Sequence, residues 1–188
     1  MLDLRDASVE LHTARCLLRA LEESGVTERY VRWLNDPDIN RYLEARFATH
    51  SMESVRKTVR DYRQSGTDVL FGIFVKESDQ AHIGNIKISD LDRNNGVAEI
   101  GFLIGDSRYW SKGIASEVIK SVCDWAFQEL GLEKITAGAY AENIGSEKAL
   151  MKAGFVREAT LRSHASIEGK SRTDVHRFAK FAPRDEPR

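Results

Sequence analysis

The spacing of apolar and polar residues in the first third of the chain predicts one strand followed by two helices. The β-leaning run Cys16-Leu17-Leu18, inside Leu11 to Leu21, predicts the first strand. Thr27 to Leu34 predicts a short helix that ends before Pro37, because a residue preceding proline is pushed out of the α region. A turn or loop is therefore expected after this helix.

A second helix is predicted to begin at Ser51, whose hydroxyl can cap the free backbone N–H groups of the first turn. Gly66 is its predicted end. The apolar residues between these two positions recur at helical spacing and are Met52, Val55, Val59 and Tyr62.

Three strand-like segments come next, and short turn-rich stretches separate them. They are Val69 to Lys76, His82 to Leu91 and Gly96 to Ile104. Because their connections are short, these segments predict an antiparallel meander. After Gly113 the apolar residues follow the period of a long helix, which Gly131 is expected to end.

The remainder of the chain predicts a strand, a helix and a closing pair of strands. These are Lys134 to Tyr140, then Ser146 to Ala153 with Asn143 as its cap, and then Phe155 to Ile167 and Thr173 to Phe181 around Glu168-Gly169-Lys170. This order predicts a single α/β (α+β) domain over residues 1–188, with its core at about 10–181 and a loose C-terminal tail. It excludes a Rossmann repeat.

Composition and charge narrow the classes of partner. Lys and Arg number 28 and Asp and Glu number 29, so no sequence-wide basic field is available for nucleic acid or an anionic membrane. No apolar run approaches the roughly 20 residues of a membrane span, and the N-terminus lacks the apolar core of a secretory signal. The cytoplasm is the expected location.

Cys16, Cys123 and the histidines show no disulfide or zinc spacing, so we expect buried thiols and no metal.

Candidate chemistry concentrates in the segment Tyr109-Trp110-Ser111-Lys112-Gly113-Ile114-Ala115-Ser116, between a predicted strand and the long helix. The first backbone N–H groups of a helix lack partners inside it and carry partial positive charge, so this segment can bind a pyrophosphate. The P-loop and dinucleotide-binding glycine patterns are both absent from the sequence. An ordinary helix entrance is the alternative interpretation.

Together with three other motifs, this segment resembles the GNAT acetyltransferase superfamily, and within it the ribosomal-protein-type N-acetyltransferases. The matching motifs are Glu99-Ile100-Gly101-Phe102-Leu103-Ile104, the Tyr109 to Glu117 segment, Asn143-Ile144-Gly145-Ser146 and Lys152-Ala153-Gly154-Phe155. The resemblance covers about residues 10 to 181. It implies a twisted mixed sheet of about seven strands and about four helices, splayed between the strands that end near Ile104 and Tyr140.

The resemblance implies acetyl-CoA as the cosubstrate, wedged into this opening. The backbone of Phe102, Leu103 and Ile104 would bind the pantetheine amides as a strand edge does. Asn143 would hydrogen-bond the pantetheine arm. Trp110 stands where many relatives have Gln or Arg, so it is expected to pack rather than to bind phosphate. The pyrophosphate would be held by the backbone N–H groups of Lys112, Gly113, Ile114, Ala115 and Ser116.

The resemblance also implies acetylation of a primary amine by direct attack in a ternary complex. The amine must be neutral, and a lysine-like amine is about 0.1% neutral or less at pH 7, whereas an α-amine is neutral to about a tenth or more. Glu99 is the candidate base, with a solvated strand carboxylate as the alternative. Many relatives have a tyrosine acid where this chain has Leu150. Ser146 and Tyr140 are the candidates to assist the departing thiolate. The alternative for Ser146 is a structural residue at the third position of the helix, and for Tyr140 a residue at the edge of the core.

The acceptor is predicted to be either a small amine, such as an amino-sugar nucleotide, or a protein N-terminus. The stretch from Trp33 to Phe47 lies where the family forms its acceptor wall, and a packed loop is the alternative. Its candidate substrate-binding residues are Arg41, Tyr42 and Arg46. The sequence leaves open whether the protein forms a homodimer. The alternative function is a non-catalytic acyl-CoA-binding or sensing module, which the missing tyrosine at Leu150 suggests.

Overall fold

An eight-stranded mixed sheet organises the chain in the computed structural model, which describes residues 4–5, 9–77, 80–167 and 171–183. The strands are β1 Glu10–His12, β2 Cys16–Ala20, β3 Val69–Val75, β4 Ala81–Asp92, β5 Val97–Ile104, β6 Lys134–Tyr140, β7 Val156–Ile167 and β8 Ser171–Phe181. The α-helices are α1 Glu28–Asn35, α2 Pro37–Asn40, α3 Met52–Gln64, α4 Ile114–Glu129 and α5 Ile144–Lys152. Short 3-10 turns lie at Glu23–Gly25, Glu44–Phe47 and Ser107–Tyr109.

Most of the predicted elements are present, and two segments differ. The single strand expected within Leu11 to Leu21 is the antiparallel pair β1 and β2, which raises the strand count from about seven to eight. The prediction of a loop after α1 is wrong for residues 37–40, which form the short helix α2. Pro37 is preset for the first helical position, and the Asp36 carboxylate caps the turn by accepting from the Asp38 N–H at 3.0 Å.

Side-chain caps begin three of the helices, and those at Ser51 and Asn143 were predicted from the sequence. The side chains of Thr27, Ser51 and Asn143 accept hydrogen bonds at the starts of α1, α3 and α5. Gly131 follows α4 with φ of +66°, a left-handed conformation that glycine adopts without strain. The third helix ends at Gln64 rather than at the predicted Gly66, and Ser65 is its C-cap.

The sheet order β1-β2-β3-β4-β5-β6-β8-β7 contains one parallel pair, β5 with β6. The predicted meander of β3, β4 and β5 is confirmed as antiparallel. Parallel pairing of β5 with β6 joins only Val97–Glu99 to Lys134–Thr136. Beyond these three pairs the described parts of the two strands separate, so the sheet opens on the line between Ile104 and Tyr140, where the resemblance implied a splay.

Two apolar layers cover the two faces of the sheet. On one face, α4 contributes Val118, Ile119 and Val122, and α5 contributes Leu150, all fully buried. On the other face, α1 and α3 pack against β2 and β3 through a second cluster that includes Trp33, Val55 and Val59. Cys16 and Cys123 are buried thiols, as predicted. The clusters cover the faces of the sheet, whereas the edge of β5 beyond Glu99 has no described pairing with β6.

Some predictions fall outside the described residues, namely the turn at Glu168-Gly169-Lys170 and the tail from residue 184 onward. Among the helices that the structure describes, none is long and apolar enough to cross a membrane. The cytoplasmic location stays a prediction.

Gly84 of β4 is required where β4 and β5 approach each other closely. A Cβ built at this residue would lie 2.1 Å from the Leu103 carbonyl oxygen, on the strand that borders the opening. We expect Gly84→Ala to lower the free energy of unfolding by about 3 kcal/mol, because backbone must move. Gly66→Ala, whose Cβ would have nothing within 4 Å, is the control and should change it by less than about 1 kcal/mol. Equal denaturation midpoints for the two variants would contradict this account.

His82 makes the stability of the fold depend on pH. Its ring packs against Tyr30, Trp33 and Phe74, and burial lowers the pKa of the imidazole below its ordinary value. The unfolded chain therefore takes up this proton at a higher pH than the folded chain, so the folded state loses stability as the pH falls below about 6.5. We expect the urea midpoint to fall more steeply below that pH for the wild type than for His82→Gln. Parallel curves would show that His82 does not carry the effect.

Candidate active site

A cavity of about 630 Å³ lies at the opening between β5 and β6. One wall is the end of β5, and the opposite wall is the start of α5. The segment from Tyr109 to Ser116 closes one end, and residues of the α2 region close the other. The lining includes Asp38, Ile39, Tyr42, Leu43, Phe102, Leu103, Ile104, Tyr109, Trp110, Ser111, Gly113, Ile114, Ala115, Ser116, Asn143, Gly145, Ser146, Lys148, Ala149 and Lys152. The cavity therefore connects the predicted donor loop with the predicted acceptor wall.

The end of β5 offers an unpaired strand edge to this cavity. Phe102 and Ile104 pair with Ile86 and Gly84 of β4 on one side. On the side of β6, the described pairing stops at Glu99. Backbone N–H and C=O groups on such an edge bind an extended ligand that carries amides. Phe102, Leu103 and Ile104 thus lie where the sequence analysis expects the pantetheine arm.

Gly113 forms a concave turn at the start of α4. Its φ of +76° is left-handed, and it occupies the N-cap position. A Cβ there would lie 3.5 Å from Lys152 Nζ, 3.8 Å from Arg15 Nη2 and 3.9 Å from Ser116 Oγ. The turn is therefore a small cradle bordered by two cationic groups and a hydroxyl, at the positive end of a helix dipole. This chemistry fits a pyrophosphate group.

The predicted loop residues divide into two groups. Gly113, Ile114, Ala115 and Ser116 line the cavity. Lys112 is exposed and is not among the described lining residues. Its ammonium lies 5.6 Å from the Tyr109 ring centroid. Its backbone carbonyl oxygen accepts a hydrogen bond from Arg15, so its described contact with the rest of the loop's support is made by the backbone.

Trp110 lines the cavity, and its expected packing role stays a prediction. Its indole N–H donates to the Ile104 carbonyl oxygen at 2.6 Å, which ties the loop to the end of β5, and 43% of the residue is exposed.

The start of α5 brings Asn143 and Ser146 to the cavity. The Asn143 side-chain oxygen accepts from the Ser146 backbone N–H at 3.1 Å, so its amide nitrogen is the part that can donate to a ligand. Leu150, at the position of the tyrosine acid in many relatives, is fully buried in the core. Among the α5 side chains that line the cavity, Ser146 is the hydroxyl available to a leaving group.

Glu99 forms the last β5–β6 pair before the opening, and its side chain lies on the face of the sheet away from α4. Its neighbours Ala98 and Ile100 are buried under α4, and alternate residues of a strand point to opposite faces. The Glu99 carboxylate pairs with Arg177 of β8 at 2.6 Å, and both side chains are about one-third exposed, 37% and 33%. Glu99 is not among the described lining residues of the cavity, and its pair with Thr136 is the last β5–β6 pair before the opening.

Tyr140 and Arg46 belong to one polar cluster beside the cavity rather than to its described lining. The Tyr140 hydroxyl donates to the Glu44 carboxylate and accepts from Arg46 Nη2 at 2.8 Å. Arg46 is 9% exposed and also donates to the carbonyl oxygens of Leu43 and Ser166. Burial and the bond to Glu44 raise the pKa of Tyr140. These contacts fasten the 3-10 turn at Glu44–Phe47 to β6 and β7.

The two other candidates for acceptor binding are neighbours. Tyr42 lines the cavity, and its hydroxyl donates to the Glu142 carbonyl oxygen at 3.3 Å. The Arg41 guanidinium stacks 5.4 Å from the centroid of the Tyr42 ring, outside the described lining.

Lys148 and Lys152 are lining residues that the sequence analysis missed. Their spacing of four residues on α5 puts both on one helix face, a signal that would have identified them once Asn143 was known to cap that helix.

The described ranges contain no side-chain cluster of the kind that binds a metal ion. Over residues 4–5, 9–77, 80–167 and 171–183, no group of three or more His, Cys, Asp or Glu side chains is placed to hold a metal ion.

Comparisons with known proteins give consistent results. The family model described as "Acetyltransferase (GNAT) domain" matches residues 15–156. The uncharacterized N-acetyltransferase p20 of Bacillus licheniformis is 33% identical over 173 residues, covering 90% of this chain and 94% of that protein. The solved ribosomal-protein-S5-alanine acetyltransferase of Vibrio fischeri aligns with a TM-score of 0.81 at 21% identity, covering 96% of this chain and 100% of that one. The spermidine N-acetyltransferase of Vibrio cholerae, solved with CoA and spermine, gives a TM-score of 0.78 at 23% identity, covering 88% and 95%.

The solved structures establish that the fold is one shared with acetyltransferases. The family model spans most of the chain, and p20 is similar over nearly its whole length. The protein therefore belongs to the GNAT acetyltransferase family and is an N-acetyltransferase by class, as its sequence motifs predicted.

Gly113→Glu tests whether the cradle holds the donor phosphates. The new carboxylate would occupy the turn and repel a pyrophosphate, so we expect acetyl-CoA affinity to fall at least about a hundredfold by calorimetry. Gly113→Ala is the matched control, because it carries the same backbone strain at positive φ without the charge. If the Glu and Ala variants bound acetyl-CoA equally, the donor site would have to lie elsewhere.

Proposed function

We propose that the protein transfers the acetyl group of acetyl-CoA to a primary amine by direct attack in a ternary complex. The observation that carries this proposal is the cavity between β5 and β6, which combines an unpaired strand edge with the cradle at Gly113. An extended amide chain that ends in a pyrophosphate matches this combination. CoA bound to the spermidine N-acetyltransferase of similar fold is consistent with it.

The donor is held by backbone groups and one amide side chain. Bound acetyl-CoA supplies an activated thioester. Phe102 and Ile104 present the β5 edge to the pantetheine amides, and the Asn143 amide nitrogen donates to the same arm. The N–H groups of Gly113 to Ser116 receive the pyrophosphate. These contacts fix the thioester near the point where the strands separate, which lowers the entropic cost of attack.

Glu99 is the proposed base for the acceptor amine. It stands where β5 and β6 separate, on the face opposite α4, so an amine approaching from that face meets the carboxylate before it reaches the thioester. The amine transfers its proton to Glu99 directly or through water, and its lone pair then attacks the acetyl carbonyl. Arg177 holds the carboxylate at 2.6 Å and orients it. A lysine-like amine depends on this base more than an α-amine does.

Ser146 is the proposed group that assists the departing thiolate. It lines the cavity one turn into α5, and its hydroxyl can donate directly or through a bound water. A thiolate needs only modest help, because a thiol of this kind has a pKa of about 8.5. Tyr140 is the second candidate, but its hydroxyl is already shared between Glu44 and Arg46.

The acceptor is proposed to be either a small amine, such as an amino-sugar nucleotide, or a protein N-terminus. Tyr42 at the cavity wall supports an acceptor that enters beside α2, with Arg41 next to it for a phosphate or carboxylate. Arg46 is occupied by the cluster around Tyr140, which favours a supporting role for it in the same wall. Solved proteins of similar fold are named for spermidine and for a ribosomal protein, so both kinds of acceptor occur on this fold.

A non-catalytic acyl-CoA-binding or sensing module is the second candidate function. The observation that favours it is Leu150, which is buried in the core at the position of the tyrosine acid. Such a module would bind acetyl-CoA without releasing CoA thiol. A homodimer remains compatible with either function.

Thiol release from acetyl-CoA against a panel of acceptors tests the proposed function. The panel contains amino-sugar nucleotides, N-terminal peptides and polyamines, and we expect turnover with one class. Glu99→Gln should lower kcat/KM for that acceptor by about a hundredfold, because a neutral amide accepts no proton. Glu158→Gln on β7, which removes a similarly exposed ion pair with Lys134 of β6, is the control and should leave the rate unchanged.

Two outcomes would contradict the proposal. Binding of acetyl-CoA without turnover on any acceptor would favour the sensing module. Turnover that Glu99→Gln leaves intact would remove Glu99 as the base.

A further inference from the structure

The turn between β1 and β2 docks onto the first turn of α4 through one carboxylate. Arg15 donates from its backbone N–H to Glu117 Oε1 at 2.9 Å and from Nε to Glu117 Oε2 at 2.7 Å, and its Nη2 is 2.6 Å from the same Oε2. Partial burial favours a neutral carboxyl, but hydrogen bonds from Thr13 and Arg15 hold the pKa of Glu117 below its ordinary value. The pair is therefore charged at neutral pH.

Arg15 also holds the peptide that precedes the cradle. Its Nη1 donates to the Lys112 carbonyl oxygen at 2.8 Å. Because a trans peptide unit is planar, the C=O of Lys112 and the N–H of Gly113 point in opposite directions. Anchoring the carbonyl at Arg15 therefore fixes the direction of the Gly113 N–H, one of the donors available to an anion at this helix start.

Glu117 brings a negative charge next to the cradle at Gly113, and Arg15 pairs with that charge. Glu117 is the acidic residue of the first turn of α4, next to the cradle at Gly113. An unneutralised carboxylate there would repel a bound pyrophosphate, and a low local dielectric would strengthen the repulsion. The Arg15 guanidinium neutralises this charge, and its Nη2 lies 3.8 Å from the Cβ position that Gly113 leaves vacant.

We propose that Arg15 is a positioning residue for the donor site. It orients the Lys112–Gly113 peptide and neutralises Glu117, and both effects make the cradle receptive to the pyrophosphate of acetyl-CoA. This inference rests on the proposed function, because it takes acetyl-CoA as the ligand. Arg15 lies about 100 residues before the loop that it controls, so the donor site includes a residue outside the motif segments.

Calorimetric titration with acetyl-CoA tests the inference on four variants of the full chain. Arg15→Met should weaken binding at least about tenfold, because it frees the peptide and leaves the Glu117 charge unpaired. Glu117→Gln should stay within about threefold of the wild type, since Arg15 still holds Lys112. Arg15→Met/Glu117→Gln should bind more tightly than Arg15→Met, because the repulsion is gone. Arg15→Lys, which keeps the charge and loses the fork geometry, should be intermediate.

Salt dependence and kinetics separate positioning from general stabilisation. The gap between Arg15→Met and the double variant should narrow as salt rises, because salt screens repulsion. Arg15→Met should raise KM for acetyl-CoA and leave kcat at saturating donor within about twofold. Arg60→Met removes a similar Arg–Glu pair, with Glu23 at 2.6 Å, on a different part of the surface, and is the matched control for thermal stability and affinity.

The outcomes distinguish this inference from the proposed function. Unchanged affinity in Arg15→Met, or a double variant that binds no better than Arg15→Met, would overturn the inference alone. An affinity loss in Arg60→Met as large as that in Arg15→Met would also overturn it, as a general effect of lost ion pairs. Failure of the wild-type protein to bind acetyl-CoA would overturn the proposed function, and the inference with it.

Discussion

The parallel pairing of β5 and β6 stops after Glu99 and Thr136, and the cavity depends on this early stop. Backbone N–H and C=O groups inside a sheet need partners, so an internal strand edge is costly when it is buried without them. Here the opened edge faces a cavity, where water or a ligand can supply the missing hydrogen bonds. The layers on the two sheet faces, α4 with α5 and α1 with α3, form separate apolar clusters. The cluster under α4 includes Ile100 of β5 together with Ile135 and Ala137 of β6, so the apolar core continues across the opening on that face.

The loop that ends the cavity depends on contacts from distant parts of the chain. Gly113 supplies the left-handed turn, and Trp110 ties the loop to the end of β5. Arg15 ties the same loop to the turn between β1 and β2 and pairs with the first acidic residue of α4. Both side chains bind backbone carbonyl oxygens, Trp110 that of Ile104 and Arg15 that of Lys112, so they fix peptides on either side of the loop.

The proposed acceptor side is held by charged and aromatic groups. Arg46 joins the turn at Glu44–Phe47 to Tyr140 and to β7. Arg177 joins β8 to Glu99 at the mouth of the opening. Buried or half-buried guanidinium groups with several acceptors fix geometry well, because the planar fork has few alternative arrangements.

Local interactions explain why so much of the fold could be predicted from the sequence. The caps at Thr27, Ser51 and Asn143 join residues three apart, and the apolar stripes of α3 and α4 are periodic, so both leave a pattern in a short window. The residues from Gly113 to Ser116 and Asn143 were found in the same way, through motifs that sit at element boundaries. The split of the first strand was missed because the turn between β1 and β2 spans only residues 13–15. The helix α2 was missed because Pro37 was interpreted as the end of α1 and not as the first residue of a new helix.

The sequence by itself determined most of the element order, the caps at Ser51 and Asn143 and the acetyltransferase family, and it predicted the residues of the donor loop. Only the tertiary structure decided that Glu99 faces Arg177, that Tyr140 and Arg46 hold each other, and that Arg15 reaches Glu117. These pairs join residues about 80 to 100 positions apart. Such contacts arise from sheet topology and packing, and no local spacing of residue types records which distant side chain a charged group will meet.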